Sequence, residues 1–388
     1  MDKKKRIGHY INSSVFGGEK YQSYIPQPLP PEPPVNMAEL YPLLDQATAA
    51  LGRLDGISRL LPDTSLFLYM YIRKEAVLSA QIEGTQSSLS DLLLFENEGI
   101  PGVPMDEVRE VSCYVMAMDY GLRRVQELPL SLRLLKEIHA RLLNKARGSN
   151  KQPGEFRSSQ NWIGGSRPGN ARFVPPPPEY LMDCLDKFEK FLHDDKNVLP
   201  ILVKAALAHV QFETIHPFLD GNGRLGRLLI TFILCVEGLL TQPLLYLSLY
   251  FKANREAYYN HLQSVRETGD WEAWIKFFLT GIIETAQQAT ETARSILALF
   301  TKDNETIKSQ KLAATALVLH SYLQKHPIVT TARLQKAMPY SLPTLLRRLK
   351  ELEKLDIVRE TTGKPRHKTF IYKKYLDLLN EGTEPLPR

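Results

Sequence analysis

His216-Pro217-Phe218-Leu219-Asp220-Gly221-Asn222-Gly223-Arg224-Leu225-Gly226-Arg227 is the stretch on which the reading of this chain turns. An apolar segment runs up to it from Pro200 to Ile215. A second follows from Leu228 to Val236 and closes at Gly238. Proline suits a helix start and glycine the position just past a helix end, so the spacing predicts helix, tight polar loop, helix. Within the loop the glycines let the backbone approach a ligand closely. The first turn of the second helix offers unpaired N–H groups and the positive end of a dipole, a combination that favours an anion. Arg224 and Arg227 stand three apart, on one face near that same end. Two cations there are unfavourable alone, and a polyphosphate reverses the balance. Asp220 is a hard oxygen ligand suited to Mg²⁺. His216 is a candidate general base at neutral pH. Asp-Gly and Asn-Gly are also ordinary turn signals, so Asp220 to Gly223 alone would serve as a mere connection.

Taken whole, HPFLDGNGRLGR resembles the signature of Fic-domain proteins, H-x-F-x-[DE]-G-N-[GK]-R-x-x-R, at every defined position. The resemblance implies a mainly α fold: a helical core with a short β-hairpin flap over the active site. It also implies protein adenylyltransferase chemistry, the transfer of AMP from ATP to a Ser, Thr or Tyr hydroxyl. His216 would deprotonate the hydroxyl, Asp220 would hold Mg²⁺, and Gly221, Asn222 and Gly223 would line the anion hole. Arg224 would contact phosphate and Arg227 the γ-phosphate.

A second string, Ser79-Ala80-Gln81-Ile82-Glu83-Gly84, closes a helix expected from Ser65, with Asp63 or Thr64 as its cap. Ser79 and Glu83 share a face. A glutamate there opposes the helix dipole by roughly 0.3–1 kcal/mol when exposed, which an arginine partner would offset. Most Glu-Gly helix ends are simply solvated. The string is similar to the inhibitory motif [ST]-x-x-x-E-[GN] of one class of Fic proteins, which implies that Glu83 pairs with Arg227 and denies it to ATP. That carboxylate could also position a water, so removal of AMP is an alternative main reaction.

Composition sets the frame. Of 388 residues, 43% are hydrophobic and 24% charged, ordinary for a globular protein of two or three domains. Three scattered cysteines make neither a disulfide framework nor a metal spacing. With no signal-like start and no apolar run near the roughly 20 residues of a membrane span, a cytoplasmic location is expected. Between Lys308 and Lys374 stand fifteen basic residues against four acidic ones, a local +11 in a chain of net +6. That asymmetry marks a separate C-terminal module.

The expected divisions are a Pro-rich irregular arm over 1–36, helices over 37–104 carrying the inhibitory motif, and a catalytic core over 105–300. A polar linker over 301–309 and a module over 310–388 complete the chain. Ser87 to Asn97 reads as a short helix with a weak capping signal at Ser88. Strand-like pieces around Asn161-Trp162-Ile163 and Ala171-Arg172-Phe173 flank a Gly-rich turn and match the family's flap, which would pin a target segment by strand addition. Tyr258, Tyr259 and Asn260 resemble the nucleotide-side helix and could line the base and ribose pocket, although paired tyrosines usually pack. His139 reads as a surface or packing histidine. The C-terminal module reads as a winged helix-turn-helix, with Arg347, Arg348 and Lys350 on its third helix and a basic wing turning at Thr362-Gly363-Lys364-Pro365. Such modules contact DNA or protein, or build homodimers. A DNA-binding regulator whose core senses a nucleotide is therefore the rival reading, and the intact His216 argues against it.

Overall fold

The computed structural model describes residues 2–14, 18–60, 64–98, 105–144, 146–194, 199–363 and 368–386. The expected cap Asp63 and the wing-turn residues Lys364 and Pro365 lie outside these. The N-terminal arm departs from the irregular chain that its prolines suggested. It opens with an antiparallel hairpin, β1 (His9–Ser14) and β2 (Lys20–Ile25), in register from His9 opposite Ile25 to Ser14 opposite Lys20. Tyr10, Ile11, Tyr21, Tyr24 and Ile25, strand-favouring residues on either side of a Gly-Gly pair, carry that signal.

Helices follow in series: α1 (Tyr41–Leu60), α2 (Thr64–Ile82), α3 (Leu89–Glu98), α4 (Met105–Arg124), α5 (Leu132–Leu142) and α6 (Pro178–Leu192). Ser88 and Asp91 exchange hydrogen bonds at the start of α3, the reciprocal capping expected there. The central pair is α7 (Ile201–Ile215) and α8 (Asn222–Val236), with Pro200 before one and Gly238 in the left-handed region after the other. Both are buried along nearly their whole length, as helices apolar on all sides must be. Around them pack α9 (Ser248–Ala253), α10 (Arg255–Thr268) and α11 (Trp271–Ser309). Trp274 of α11 is a core residue, donating its indole N–H to the Ala206 carbonyl at 2.9 Å.

Residues 301–309, read as a linker, are instead the last two turns of α11. Phe300, Asp303 and Ile307 recur at helical spacing and are buried. Asp303 accepts from the Tyr372 hydroxyl at 2.6 Å. A polar surface with one buried stripe looked like a linker because the stripe is only three residues wide.

The C-terminal module comprises α12 (Ala314–Lys325), β3 (Ile328–Thr330), α13 (Thr331–Ala337), α14 (Leu342–Lys354), β4 (Arg359–Glu360), β5 (Thr369–Ile371) and α15 (Lys373–Asn380). Its antiparallel sheet has the order β3-β5-β4. The expected flap exists in reduced form. A single bridged pair, Ile163 and Phe173, exchanges both backbone bonds at 2.8 and 3.1 Å. The hairpin β1–β2 leans on it: Tyr24 N–H donates to the Val174 carbonyl at 2.9 Å, and Arg167 meets Glu19 at 3.3 Å.

Candidate active site

The site forms in the six-residue turn between α7 and α8. His216 ends α7 in the left-handed conformation, φ 49° and ψ 61°, which a non-glycine residue holds only when its surroundings demand it. Those surroundings are visible. The His216 carbonyl accepts from Arg157 Nε at 2.9 Å and from Asn161 Nδ2 at 3.3 Å. Arg157 N–H donates to the Pro217 carbonyl at 2.9 Å. Asn222 closes the turn from within: its Oδ1 accepts from Phe218 N–H at 2.9 Å, and its Nδ2 donates to the Phe218 carbonyl at 2.8 Å. The Asn222 side chain is thus spent on holding the loop.

His216 donates Nδ1–H to the Glu213 carbonyl at 3.3 Å, which leaves Nε2 as the proton acceptor. Burial, then the cations Arg157 and Arg266, push its pKa down to about 3, so the ring is neutral at pH 7. Glu213 stands beside it, Oε2 at 3.9 Å from Nδ1. Burial pushes that carboxyl up to about 7, against the pull of Arg227.

Arg224 is 1% exposed, with Nη1 at 2.7 Å from Glu110 Oε1 and Nη2 at 3.3 Å from Asp220 Oδ1. It is held between two carboxylates. Burial raises the Glu110 carboxyl although Arg224 opposes the rise. Asp220 Oδ1 also accepts from Gly221 N–H at 2.6 Å, while Oδ2 faces the glycine backbone at 148, where a Cβ would come within 2.6 Å of it. Among the described residues no three His, Cys, Asp or Glu side chains converge on a metal position. A Mg²⁺ with one protein carboxylate, completed by phosphate and water, is the arrangement that fits.

Arg227 is almost fully buried and aimed at α2. Its Nε donates to Ser79 Oγ at 2.8 Å, and Nη2 donates to the Ser79 carbonyl at 3.0 Å and to Glu83 Oε1 at 2.7 Å. Burial pushes the Glu83 carboxyl up, but Arg227 and Arg224 pull it further down, so it stays ionised below the ordinary carboxylate range. The carboxylate also lies over the start of α8: a Cβ on Gly223 would sit 2.3 Å from Glu83 Oε1. Glu83 therefore occupies the place that an anion at this helix N-terminus would take. Arg255 Nε, donating to the Ile82 carbonyl at 3.1 Å, closes the C-terminal end of α2.

The nucleotide-side residues divide. Asn260 is exposed and accepts from Arg172 of the flap at 2.8 Å, and Tyr259 is half-buried below Arg255. Tyr258 is a core residue, 1% exposed, with its hydroxyl 2.8 Å from His209 Nε2, so it does not line a pocket. His139, read as packing, is a positioning residue. It stacks on Phe218 with centroids 3.7 Å apart. Gly154 N–H donates to its Nδ1 at 2.8 Å, so its Nε2–H donates to the Asp220 carbonyl at 2.9 Å. A lone histidine among Leu135, Ile138 and Leu142 gives no such signal in the sequence.

A central helix pair joined by a histidine-acid-glycine-arginine turn, faced by a helix that ends in an acidic partner for the arginine, defines a class. Residues 41–123 match the model described as Fic/DOC family N-terminal, and residues 129–234 that described as Fic/DOC family. Residues 41–123 and 129–234 thus carry the two domains of the Fic/DOC family. It is 33% identical over 203 residues to a Protein adenylyltransferase Fic of Drosophila grimshawi, covering 51% of this chain and 39% of that protein. To the protein of the same name from Drosophila melanogaster it is 29% identical over 235 residues, covering 60% and 43%. The chain thus spans about two-fifths of the length of these curated relatives. Its fold is similar to a Fic family protein from Desulfovibrio desulfuricans G20, with TM-score 0.53, 19% identity and coverage of 86% and 96% of the two chains. A Fic domain containing signaling protein from Bacteroides thetaiotaomicron VPI-5482 gives TM-score 0.51 at 20% identity, covering 65% and 97%.

Proposed function

We propose that the protein transfers AMP from ATP to a hydroxyl of a protein, and that Glu83 restrains this reaction. The observation that carries the reading is the Glu83 carboxylate seated at 2.7 Å on Arg227 and against Gly223, where a phosphate would otherwise lie. His216 Nε2 takes the proton of the target hydroxyl. The oxygen attacks the α-phosphorus, the bond from that phosphorus to the bridging oxygen of the β-phosphate breaks, and pyrophosphate leaves. The phosphate charge lies near His216 and offsets Arg157 and Arg266, so the base strengthens when substrate is bound. Asp220 would hold Mg²⁺, which supplies charge neutralisation to the phosphates. Gly221, Gly223 and the first N–H groups of α8 bind phosphate oxygens, and Arg227 the γ-phosphate once Glu83 withdraws. Arg224 serves through Nη2 and its hold on Asp220. Tyr259 and Asn260 face the nucleoside.

The target docks on the flap as an added strand, through backbone bonds that leave its sequence free. The helix order of the C-terminal module supports a winged-helix reading. Arg347 and Lys350 are exposed on α14, whereas Arg348 is buried and paired with Glu351 at 2.7 Å, so any DNA contact rests on the first two.

The test is incubation of wild type, Glu83→Gly and Glu83→Gly/His216→Ala with Mg²⁺ and α-phosphate-labelled ATP, with lysate as target. Strong label of AMP mass in Glu83→Gly alone is the expected result. Loss of a general base costs about 10²–10⁴-fold, so the double variant falls to background. An unlabelled Glu83→Gly removes the transferase reading.

A further inference from the structure

The brake helix is gripped from two sides, and only one grip belongs to the catalytic loop. Gln81 and Glu83 are two residues apart, about 200° around a helix, so they leave α2 on opposite faces. Ser79 and Glu83 face Arg227. Gln81 faces the end of the chain. It is 1% exposed, and its Nε2 donates to the Thr383 carbonyl at 2.8 Å and to the Ser87 carbonyl at 2.9 Å. Lys74, two turns earlier on the same face, is also buried, and its ammonium has no hydrogen-bond acceptor among the described residues. Burial pushes its pKa down to about 8, and the carboxylates of Glu381 and Glu384 oppose that fall.

The segment that covers this face is firmly seated. Lys252 of α9 donates to the carbonyls of Gly382, at 3.0 Å, and Glu384. Gly382 adopts φ 78°, and a Cβ there would sit 2.6 Å from Leu249, so neither its conformation nor its space suits another residue. Thr383 is 1% exposed and folds back on the Asn380 carbonyl through both N–H and hydroxyl, each at 2.8 Å. Asn380 in turn donates to Ser90 of α3 at 3.1 Å, and Tyr375, Leu376 and Leu379 of α15 are buried.

We propose that residues 381–386 are a latch: they hold the last turn of α2 against the catalytic loop, and their withdrawal releases Glu83 from Arg227. The link to catalysis rests on the transferase reading above; the mechanical part does not. Withdrawal strips the buried Gln81 amide of one acceptor and leaves the Lys74 ammonium without the two carboxylates that favour its charged form. The turn from Ala80 to Thr85 then keeps its polar ties to Arg227, Arg255 and Arg147 and, through Gln81, to Ser87, but has lost the backing of the tail, and a helix end that loses contacts opens locally. The latch thus couples the seating of residues 381–386 to the availability of Arg227, two states between which a partner of that segment could choose.

The experiment compares the full chain with three variants: deletion of residues 381–388, Gln81→Leu and Lys252→Met. Hydrogen exchange is read at the amides of Glu83, Gly84 and Thr85, which bond to Ala80 and Gln81 carbonyls at 3.0–3.2 Å. AMP incorporation is read beside it. Faster exchange at these three amides and a several-fold rise in labelling, with no further gain when the deletion is combined with Glu83→Gly, are the expected results. The point variants keep the test sound if the deletion fails to fold. Exchange at wild-type rate in both point variants overturns the latch whether or not the protein transfers AMP. Faster exchange without a rise in labelling, in a preparation where Glu83→Gly labels strongly, overturns its link to catalysis. If Glu83→Gly is itself unlabelled, the transferase reading falls and the exchange result alone decides the latch.

Discussion

His139 does for the loop what no motif residue does: it ties Asp220 and Gly154 together and floors Phe218. Burial pushes its pKa down to about 4, so it works as a neutral ring. His139→Phe keeps the stack but leaves Gly154 N–H without a partner and frees the Asp220 carbonyl. The expected loss is about 1–3 kcal/mol of stability in denaturant titration, with a larger fractional loss of transfer than of ATP binding. Glu75, buried on α2, makes a second residue-level case. Ser248 N–H donates to it at 3.1 Å and the Tyr114 hydroxyl at 3.3 Å, yet burial pushes its pKa from 4.5 up to about 7. The folded state therefore binds a proton more tightly than the unfolded one. Its stabilising contribution is complete below pH 4.5 and is lost as pH rises through about 7, a change of about 3 kcal/mol. Glu75→Gln should remove that slope, so the stability difference, variant minus wild type, rises between pH 4.5 and 8. The difference isolates it from the buried histidines His139, His209 and His216, whose lowered pKa values act in the opposite sense.

At the scale of elements, legibility follows periodicity and charge. The α7–α8 pair and α2 were readable because apolar runs, caps and an unusual Glu-Arg complement point to one geometry. The hairpin β1–β2 was masked by the prolines that follow it, and the flap shrank to one bridged pair because Gly164 to Asn170 holds its turn by side-chain bonds, Asn170 Oδ1 accepting from Ser166 and Arg167 N–H. Residues 301–309 misled for a different reason: their polarity is real, and one face in three is buried. Ile307 tests this. Ile307→Ala is expected to cost about 2–4 kcal/mol, read by thermal or chemical unfolding, where a linker residue would cost almost nothing. Tyr258 misled in reverse, since spacing alone does not say whether a tyrosine hydroxyl meets a ligand or, as here, His209.

Across the whole molecule the charge asymmetry marks the C-terminal module as different in surface, not as separate in mechanics. Tyr372 reaches Asp303 of α11, Phe300 packs on Tyr375, and the tail returns to α2 and α9. Arg348→Ala should therefore lower the melting temperature, because its buried pair with Glu351 is broken, whereas Arg347→Ala should leave it within a degree or two. Among the described residues no helix is long and apolar enough to cross a membrane.

Helix α11 runs unbroken for 39 residues, about 58 Å, from the catalytic core into the module beyond it. A body joined by such a rod has no elbow. Whatever the far end holds is presented to the candidate site at a fixed bearing and distance, so reach becomes a selection rule in its own right: under the proposed transfer, a hydroxyl would be selected by where it stands along that ruler.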